Sequence, residues 1–407
     1  MNAVADVLPD ASWRHHRGLV RIIALMHGAG LPVRFVGGAV RDSLIGAAVT
    51  DVDLATPALP ADVTRVLAAG GVKVVPTGID HGTVTAVADS KPYEITTLRR
   101  DVSTDGRHAT VAFSDDWRDD AARRDFTINA LYADPATGEV FDDFGGRADL
   151  SAGCVRFIGD PAARIAEDHL RILRYYRFAA RFGSGARDAA SHAAVVAAAP
   201  ALMTLSRERV ADEVMKLLAL PDPVGAVTAM ADDGILATIL PESGDDASGR
   251  LAVLIAAEAA SGTAASSARR LIALLPPDAA LADKAATRLK MSKRLRKRIA
   301  AARGVVPVPG AAPQVRAAAY RHGAEAVTDA LLLAGDAAGG GALIGWDIPR
   351  LPVGGNDVLA RGISAGPDVA ALLKTVEDQW VAEGFPDRAR TLALLDQISG
   401  LPSELRQ

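Results

Sequence analysis

One cysteine, Cys154, stands in 407 residues. That excludes an internal disulfide framework and suits a reducing compartment, where Cys154 reads as a small buried apolar residue. Aromatic residues are also sparse, at 4%, against 49% hydrophobic residues supplied largely by alanine, leucine and valine. This balance favours many helices packed through small side chains. A membrane-spanning run is missing as well: "RLAVLIAAEAASG" is interrupted by Glu258 and falls short of the ~20 residues a bilayer requires. The opening "MNAVADVLPDASWRHHRG" lacks a basic start followed by an apolar core, so no signal peptide is expected and the expected location is cytoplasmic. Neither sign of charge dominates, since 45 basic and 49 acidic side chains leave a net charge of −4. Attraction to nucleic acid must therefore come from local clusters.

A chain of 407 residues is nearly three times the usual ~150 per domain, which predicts two to four domains. From Trp13 to about Leu150, "VRFVGG", "DVDLAT", "GTVTAVA" and "YEITTLRR" carry β-branched residues bounded by Gly, Pro or Asp and predict strands. Between them "PADVTRVLAAGG" reads as a helix opened by Pro60 and closed by Gly70 and Gly71. Beyond Ser151 strand signals almost vanish. "PAARIAEDHLRILRYYRFAARFG" and "SRERVADEVMKLLAL" repeat apolar residues at three and four, and predict an all-helical remainder. "GVVPVPGAAP", Gly304 to Pro313, is its most linker-like piece.

The stretch "VGGAVRDSLIGAAVTDVDLAT", Val36 to Thr56, holds two features that bear on chemistry. In a strand, residues two apart face the same side, so Asp51 and Asp53 project their carboxylates together while Val52 and Leu54 turn to the core. Two like charges so close are costly unless a cation lies between them, and Mg²⁺ suits oxygen ligands. The plain alternative is a strand end with two solvated aspartates. Ahead of them, Gly37 and Gly38 end a strand and let backbone N–H groups approach a ligand at the start of a helix carrying Arg41, unless they form only a strand-to-helix turn. A phosphate cradle followed by a carboxylate pair is what nucleotidyl transfer requires within one site.

Further along, "RRDF" sets Arg123 and Arg124, suited to phosphate oxygens, beside Asp125, suited to a ribose hydroxyl; the alternative is a surface ion cluster. In "EDHLRILRYYR", Asp168, Arg171, Arg174 and Arg177 recur every three residues as a stripe that drifts around a helix. An Asp and an Arg one turn apart can offer acceptor and donor groups to the Watson–Crick edge of a base. Arg174 and Arg177 can then neutralise phosphate charge. The bland reading is a solvated face with an i,i+3 ion pair. Glu94 in "YEITTLRRD" is a candidate third carboxylate if its strand lies beside that of Asp51 and Asp53, and an outward-facing strand residue otherwise.

Together, "GGAVRD" and "DVDLAT" resemble the first motif of the polymerase-β-type nucleotidyltransferases, in the branch containing CCA-adding tRNA nucleotidyltransferases and bacterial poly(A) polymerases. In the same order, "RRDFTINAL" resembles the family's second motif, "DDFGGRADL" its hinge, "RIAEDHLRILRYYRFAARF" its nucleotide-selecting helix and "SRERVADEVMKLL" its closing helical motif. The matches run from about Val33 to Leu218. The resemblance implies an α+β fold: a nucleotidyltransferase head of mixed sheet and helices at 1–150, a nucleotide-selecting helical neck at 151–218, and a helical body and tail at 219–407 that binds tRNA.

It further implies template-independent addition of C, C and A to the tRNA 3′ end from CTP and ATP, with release of pyrophosphate. Two Mg²⁺ ions would be held by Asp51 and Asp53, with Glu94 as a third catalytic carboxylate. Gly37, Gly38 and Arg41 would hold the triphosphate, and Arg123, Arg124 and Asp125 the phosphates and sugar. Asp168, Arg171, Arg174 and Arg177 would bind and select the nucleotide. "DVSTDGRHATVAFSDDW", Asp101 to Trp117, resembles the mobile loop that the family uses in switching from C to A. Ala122 stands where some relatives carry an acidic residue, so no metal ligand is expected there.

In the second half, "RLKMSKRLRKR", Arg288 to Arg298, has seven Lys/Arg in eleven residues and no acidic neighbour within the run. Lys290, Lys293, Arg294, Arg296, Lys297 and Arg298 are the candidate RNA contacts, against the reading of a solvated face. The expected partners are tRNA, ATP and CTP, with no membrane and no obligate protein partner. Two other readings stand beside this one. A poly(A) polymerase shares the head motifs, although very basic flanks are missing. A catalytically silent RNA-binding protein on the same scaffold would be expected to have lost Asp51 and Asp53.

Overall fold

Short runs of β-branched residues, each stopped by glycine, proline or aspartate, become strands in a computed structural model that describes residues 5–105, 108–184, 187–307 and 310–400, without the side chains of 80 and 101–111. The chain enters through α1 (Arg17–Gly28), β1 (Arg34–Val36), α2 (Gly38–Leu44), β2 (Asp53–Thr56) and α3 (Pro60–Ala69). Four strands follow: β3 (Lys73–Gly78), β4 (Thr83–Ala88), β5 (Lys91–Thr97) and β6 (Arg99–Asp105). Then come β7 (His108–Phe113), α4 (Trp117–Ala122), β8 (Leu131–Ala133), β9 (Val140–Asp142) and α5 (Gly146–Ala152). Seven of these strands form one sheet in the order β3-β4-β5-β2-β1-β8-β9. Its one parallel pair among the described residues is β2 with β5, which sets Asp53 opposite Glu94.

The sheet's core packs Val36, Ala55, Leu98 and Tyr132 against Ala121 and Ile158. Gly37 ends β1 at φ 66°, a left-handed conformation that glycine adopts without strain, and turns the chain directly into α2. Gly146 opens α5 against the turn at Thr127, so closely that a Cβ there would lie 2.2 Å from the Thr127 carbonyl oxygen.

Two expectations are corrected. The stretch from Asp101 to Trp117, expected as a mobile loop, pairs in large part as the β6–β7 hairpin; residues 106 and 107 and the side chains of 101–111 lie outside the described residues. The "RIAEDHLRILRYYRFAARF" helix is two helices, α6 (Pro161–Glu167) and α7 (Leu170–Phe182). Asp168 leaves the helical conformation, at φ −153°, and its carboxylate accepts from the Leu170 amide at 3.1 Å. A short acidic side chain that binds nearby backbone favours a helix start over a helix interior.

Unit 1 closes with α8 (Ala189–Ala197) and α9 (Arg207–Leu218) and comprises residues 1–220 and 232–239. An aromatic cluster joins its strands to its helices: Phe126 lies 4.7 Å from Phe157 and 5.2 Å from Phe178 of α7, centroid to centroid. The second unit, residues 221–231 and 240–407, contains no strand among its described residues. Its helices are alanine-rich and pack around two clusters, one centred on Val315 and Leu331 and the other on Val376, Trp380 and Leu395. A buried charge network also lies within it: Arg269 pairs with Glu258 and Asp329 at 2.7 Å each, and Arg270 with Glu258 at 2.9 Å. Among the described residues no helix is long and apolar enough to cross a membrane.

Candidate active site

Asp53 is the first residue of β2, and the parallel β5 strand places Glu94 beside it. Burial raises the Asp53 carboxyl to about 6, and the nearby Glu94 and Asp51 charges push the same way against Arg124. The assigned strand β2 begins at Asp53, so Asp51 stands just ahead of it, with its charge still acting on Asp53. Asp51 lies outside the strand, accepts a hydrogen bond from Thr50 at 3.1 Å, and lines a different cavity from Asp53. Val52 likewise lines that second cavity, while Leu54 is fully buried as expected. Among the described residues no group of three or more His, Cys, Asp or Glu side chains is arranged to hold a metal unaided.

The cavity containing Asp53 has a volume of about 490 Å³ and is walled by Gly37, Gly38 and a ring of arginines. Each arginine is held by the protein. Arg41, buried, donates to Asp42 at 2.8 Å and also to Asn129, and lies over the Phe182 ring at 4.3 Å. Burial lowers its pKa, against the pull of Asp42. Arg124 donates to Asp120 at 3.0 Å and to the Tyr132 hydroxyl at 3.2 Å, while Arg123 pairs with the other Asp120 oxygen at 2.6 Å. Asp120, 1% exposed, thus aims both guanidiniums. Burial opposes its charge, yet Arg124, Arg123 and Tyr132 keep its carboxyl below the usual range.

Asp125 has both carboxylate oxygens engaged. Its Oδ1 takes the Phe126 amide and Asn129 at 2.9 Å each, and its Oδ2 takes Arg174 twice, at 2.7 and 2.6 Å. Burial opposes its ionised form, but Arg174 and these hydrogen bonds hold the carboxyl below the ordinary range. The ribose acceptor expected from sequence is therefore already occupied by protein donors. The i,i+3 ion pair between Asp168 and Arg171, the bland reading of this stretch, is not made. Asp168 pairs with Arg209 of α9 at 2.7 Å, and Arg171 pairs with Glu167 at 2.5 Å and reaches the Arg123 carbonyl at 3.2 Å.

Arg177 does not join this cavity: it pairs with the buried Glu213 at 2.7 Å. Steps of three residues each rotate ~60° backwards around a helix, so within α7 two steps carry Arg177 ~120° away from Arg171. Asp120, Asn129 and Arg209 also serve this site, and none of them stands out in the sequence. Asn129 and Arg209 lie within the quoted motifs, and Asp120 one turn before Arg124; an acidic or amide residue at helical spacing from an arginine was the available signal.

In the second unit the basic run does have acidic neighbours, supplied by the fold. Arg288 pairs with Glu242 at 2.6 Å, Arg296 with Asp283 at 2.9 Å, and Arg298 with the buried Asp329 at 2.7 Å. Lys290, Lys293, Arg294 and Lys297 are exposed.

The family model "Poly A polymerase head domain" matches residues 33–156, and "Probable RNA and SrmB- binding site of polymerase A" matches residues 188–245. With the carboxylate pair of β2 and β5 beside an arginine cavity, these matches define a nucleotidyltransferase with a poly(A)-polymerase-type head. Mouse mitochondrial CCA tRNA nucleotidyltransferase 1 is 33% identical over 382 residues, covering 90% of this chain and 87% of that protein. The CCA-adding enzyme of Geobacillus thermodenitrificans is 40% identical over 223 residues, 54% of this chain and 53% of that one. The crystal structure of the Bacillus stearothermophilus CCA-adding enzyme in complex with CTP superimposes with a TM-score of 0.74 at 27% identity, over 94% of this chain and 97% of that one. The chain belongs to the CCA-adding tRNA nucleotidyltransferase family.

Proposed function

We propose that the protein adds C, C and A in turn to the 3′ end of tRNA, using CTP and ATP and no nucleic-acid template. The observation that carries this reading is the cavity in which Asp53 meets a ring of guanidiniums at the Gly37–Gly38 turn. A carboxylate able to hold a cation stands next to cationic groups able to hold a triphosphate. The poly(A) reading is less well supported, because the relative aligned over 90% of the chain is a CCA enzyme.

In this reading Arg41, Arg123 and Arg124 bind the triphosphate where the backbone of Gly37 and Gly38 permits close approach. Asp125 acts as a positioning residue: with its acceptors taken by protein donors, it holds Arg174 against the cavity. Asp168 and Arg171, each fixed by a second partner, offer an acceptor and a donor edge to the base in place of a template strand. Arg177 and Glu213 hold α7 to α9. In the transfer itself, the 3′-terminal ribose oxygen forms a bond to the α-phosphorus and the α–β bridging P–O bond breaks. Pyrophosphate leaves with that bond pair, and the hydroxyl proton passes to solvent.

Asp53 and Glu94, in register across β2 and β5, fit a divalent cation of the kind that takes one or two carboxylates together with substrate phosphates, and Asp51 is near enough for its charge to act on Asp53. A Mg²⁺ held there would supply positive charge to the attacking hydroxyl and to the α-phosphate. Lys290, Lys293, Arg294 and Lys297 of the second unit meet the tRNA backbone, and a cytoplasmic location belongs to the same reading.

Incubation with tRNA lacking its last three nucleotides, CTP and ATP tests the proposal. The expected product is longer by three nucleotides. A long A tract with no incorporated C, or no extension at all, would overturn it.

A further inference from the structure

Tyr132 is fully buried in the middle of β8, opposite Val36 of β1, the residue that precedes the Gly37 turn. The Gly37 amide donates to the neighbouring Leu131 carbonyl at 2.9 Å, so one stretch of sheet pairing fixes both the turn and the tyrosine. We propose that Tyr132 is a positioning residue for nucleotidyl transfer: its hydroxyl holds one edge of Arg124 so that the other edge faces the triphosphate at the Gly37–Gly38 turn. The inference rests on the nucleotide-binding reading of this cavity and adds to it the group that aims Arg124.

A phenol hydroxyl has one proton to give and can also accept, and here both roles are taken. It donates to Asp120 Oδ2 at 2.6 Å and accepts from Arg124 Nε at 3.2 Å. Arg124 Nη2 donates to the same Asp120 oxygen at 3.0 Å. Two of the three guanidinium nitrogens are thereby held by the protein. The third, Nη1, lies at the turn, 3.4 Å from where a Cβ on Gly37 would stand. The Arg124 charge also reaches Asp53, where it opposes the effect of burial on the carboxyl. A guanidinium is planar, so clamping one edge aims the other.

A neutral hydroxyl suits this place for a reason of charge. Arg123 and Arg124 share the single carboxylate of Asp120, which leaves the pair with a net positive charge. A second carboxylate in place of the hydroxyl would clamp Arg124 but cancel that charge, whereas the phenol clamps it and leaves the charge for phosphate oxygens. Burial raises the Tyr132 pKa, with Arg124 opposing and Asp120 reinforcing, so the oxygen keeps its proton. The ring is fixed as well. Trp117 packs edge-on against it at 5.5 Å, and the Arg34 guanidinium covers the Trp117 ring at 4.1 Å.

The test uses the full-length protein with Tyr132→Phe, Arg124→Lys and the double variant, and measures dissociation constants for CTP, ATP and pyrophosphate by calorimetry. Tyr132→Phe is expected to weaken all three by a similar factor, about five- to tenfold, because they share phosphates and not a base. On the Arg124→Lys background, where no Nε–H remains to be held, the same change should add less than about twofold. A general loss of structure would add its effect on either background. A single 3-fluorotyrosine at position 132 keeps the hydroxyl, so it decides the matter even if Tyr132→Phe fails to fold: its fluorine resonance should move with pyrophosphate and stay in place with cytidine. Unchanged constants in folded Tyr132→Phe, an equal loss on both backgrounds, or a resonance unmoved by saturating pyrophosphate overturns the positioning role alone. A wild-type chain that binds neither CTP nor ATP overturns the functional reading and this inference with it.

Discussion

Arg174 donates twice to one oxygen of Asp125, at 2.7 and 2.6 Å, across 49 residues of sequence. The other oxygen of Asp125 accepts from Asn129, which in turn accepts from Arg41. A guanidinium on α7 and one on α2 are thus tied through a single buried carboxylate.

Asp125→Asn is expected to raise KM for both CTP and ATP about tenfold or more while destabilising the fold by roughly 2 kcal/mol, because Arg174 loses its charged partner and the cavity its shape. Steady-state kinetics and urea unfolding of the same preparation check both. Unchanged nucleotide KM in a folded variant would remove Asp125 from the positioning role.

Asp53→Asn separates catalysis from stability. Activity should fall by at least about 100-fold, since a developing charge loses its counterpart. The folded carboxyl lies near 6 against an ordinary 3.8, so the folded state holds its proton more tightly than the unfolded chain. That contribution is fully present below pH 3.8 and is lost as pH rises through 6. Without divalent cation, the wild type should therefore lose ground to Asp53→Asn between these limits. Thermal unfolding on both sides of this window, with and without Mg²⁺, checks this, and Mg²⁺ should close the gap above pH 6.

Arg177→Ala should cost stability rather than nucleotide affinity. It strips the buried Glu213 of its 2.7 Å partner, leaving Lys216 at 3.3 Å. A loss of roughly 3 kcal/mol is expected. Nucleotide KM should stay within about twofold, because Arg177 is not part of the cavity wall. A larger rise in KM with stability intact would return Arg177 to the nucleotide site.

Replacing Lys293, Arg294 and Lys297 by alanine should lower the salt dependence of tRNA binding, reducing the log–log slope by roughly 0.7–0.9 for each phosphate that is no longer neutralised. CTP binding should not change. Arg298→Ala should instead destabilise the second unit, since it deprives the buried Asp329 of one of its two arginine partners. Filter binding over a salt series and denaturant unfolding distinguish the two classes.

The sequence by itself determined the catalytic head's strand pieces, the Gly37–Gly38 turn and the carboxylates and arginines that the cavity gathers. These are local: a β-branched run, a glycine that must take positive φ, and charged residues at short spacing are legible without neighbours. Tertiary structure decided how each charge is used. Asp53 acquires its raised pKa through desolvation of its carboxyl by the surrounding groups and through Glu94, which a parallel crossover sets beside it. Asp125 turns from a free acceptor into a filled one because the aromatic cluster around Phe126 brings α7 against it. Arg177 and Arg298 lose their apparent freedom to Glu213 and Asp329, partners 36 and 31 residues away. A charge run in sequence records valence, whereas the partners that neutralise it are set by packing.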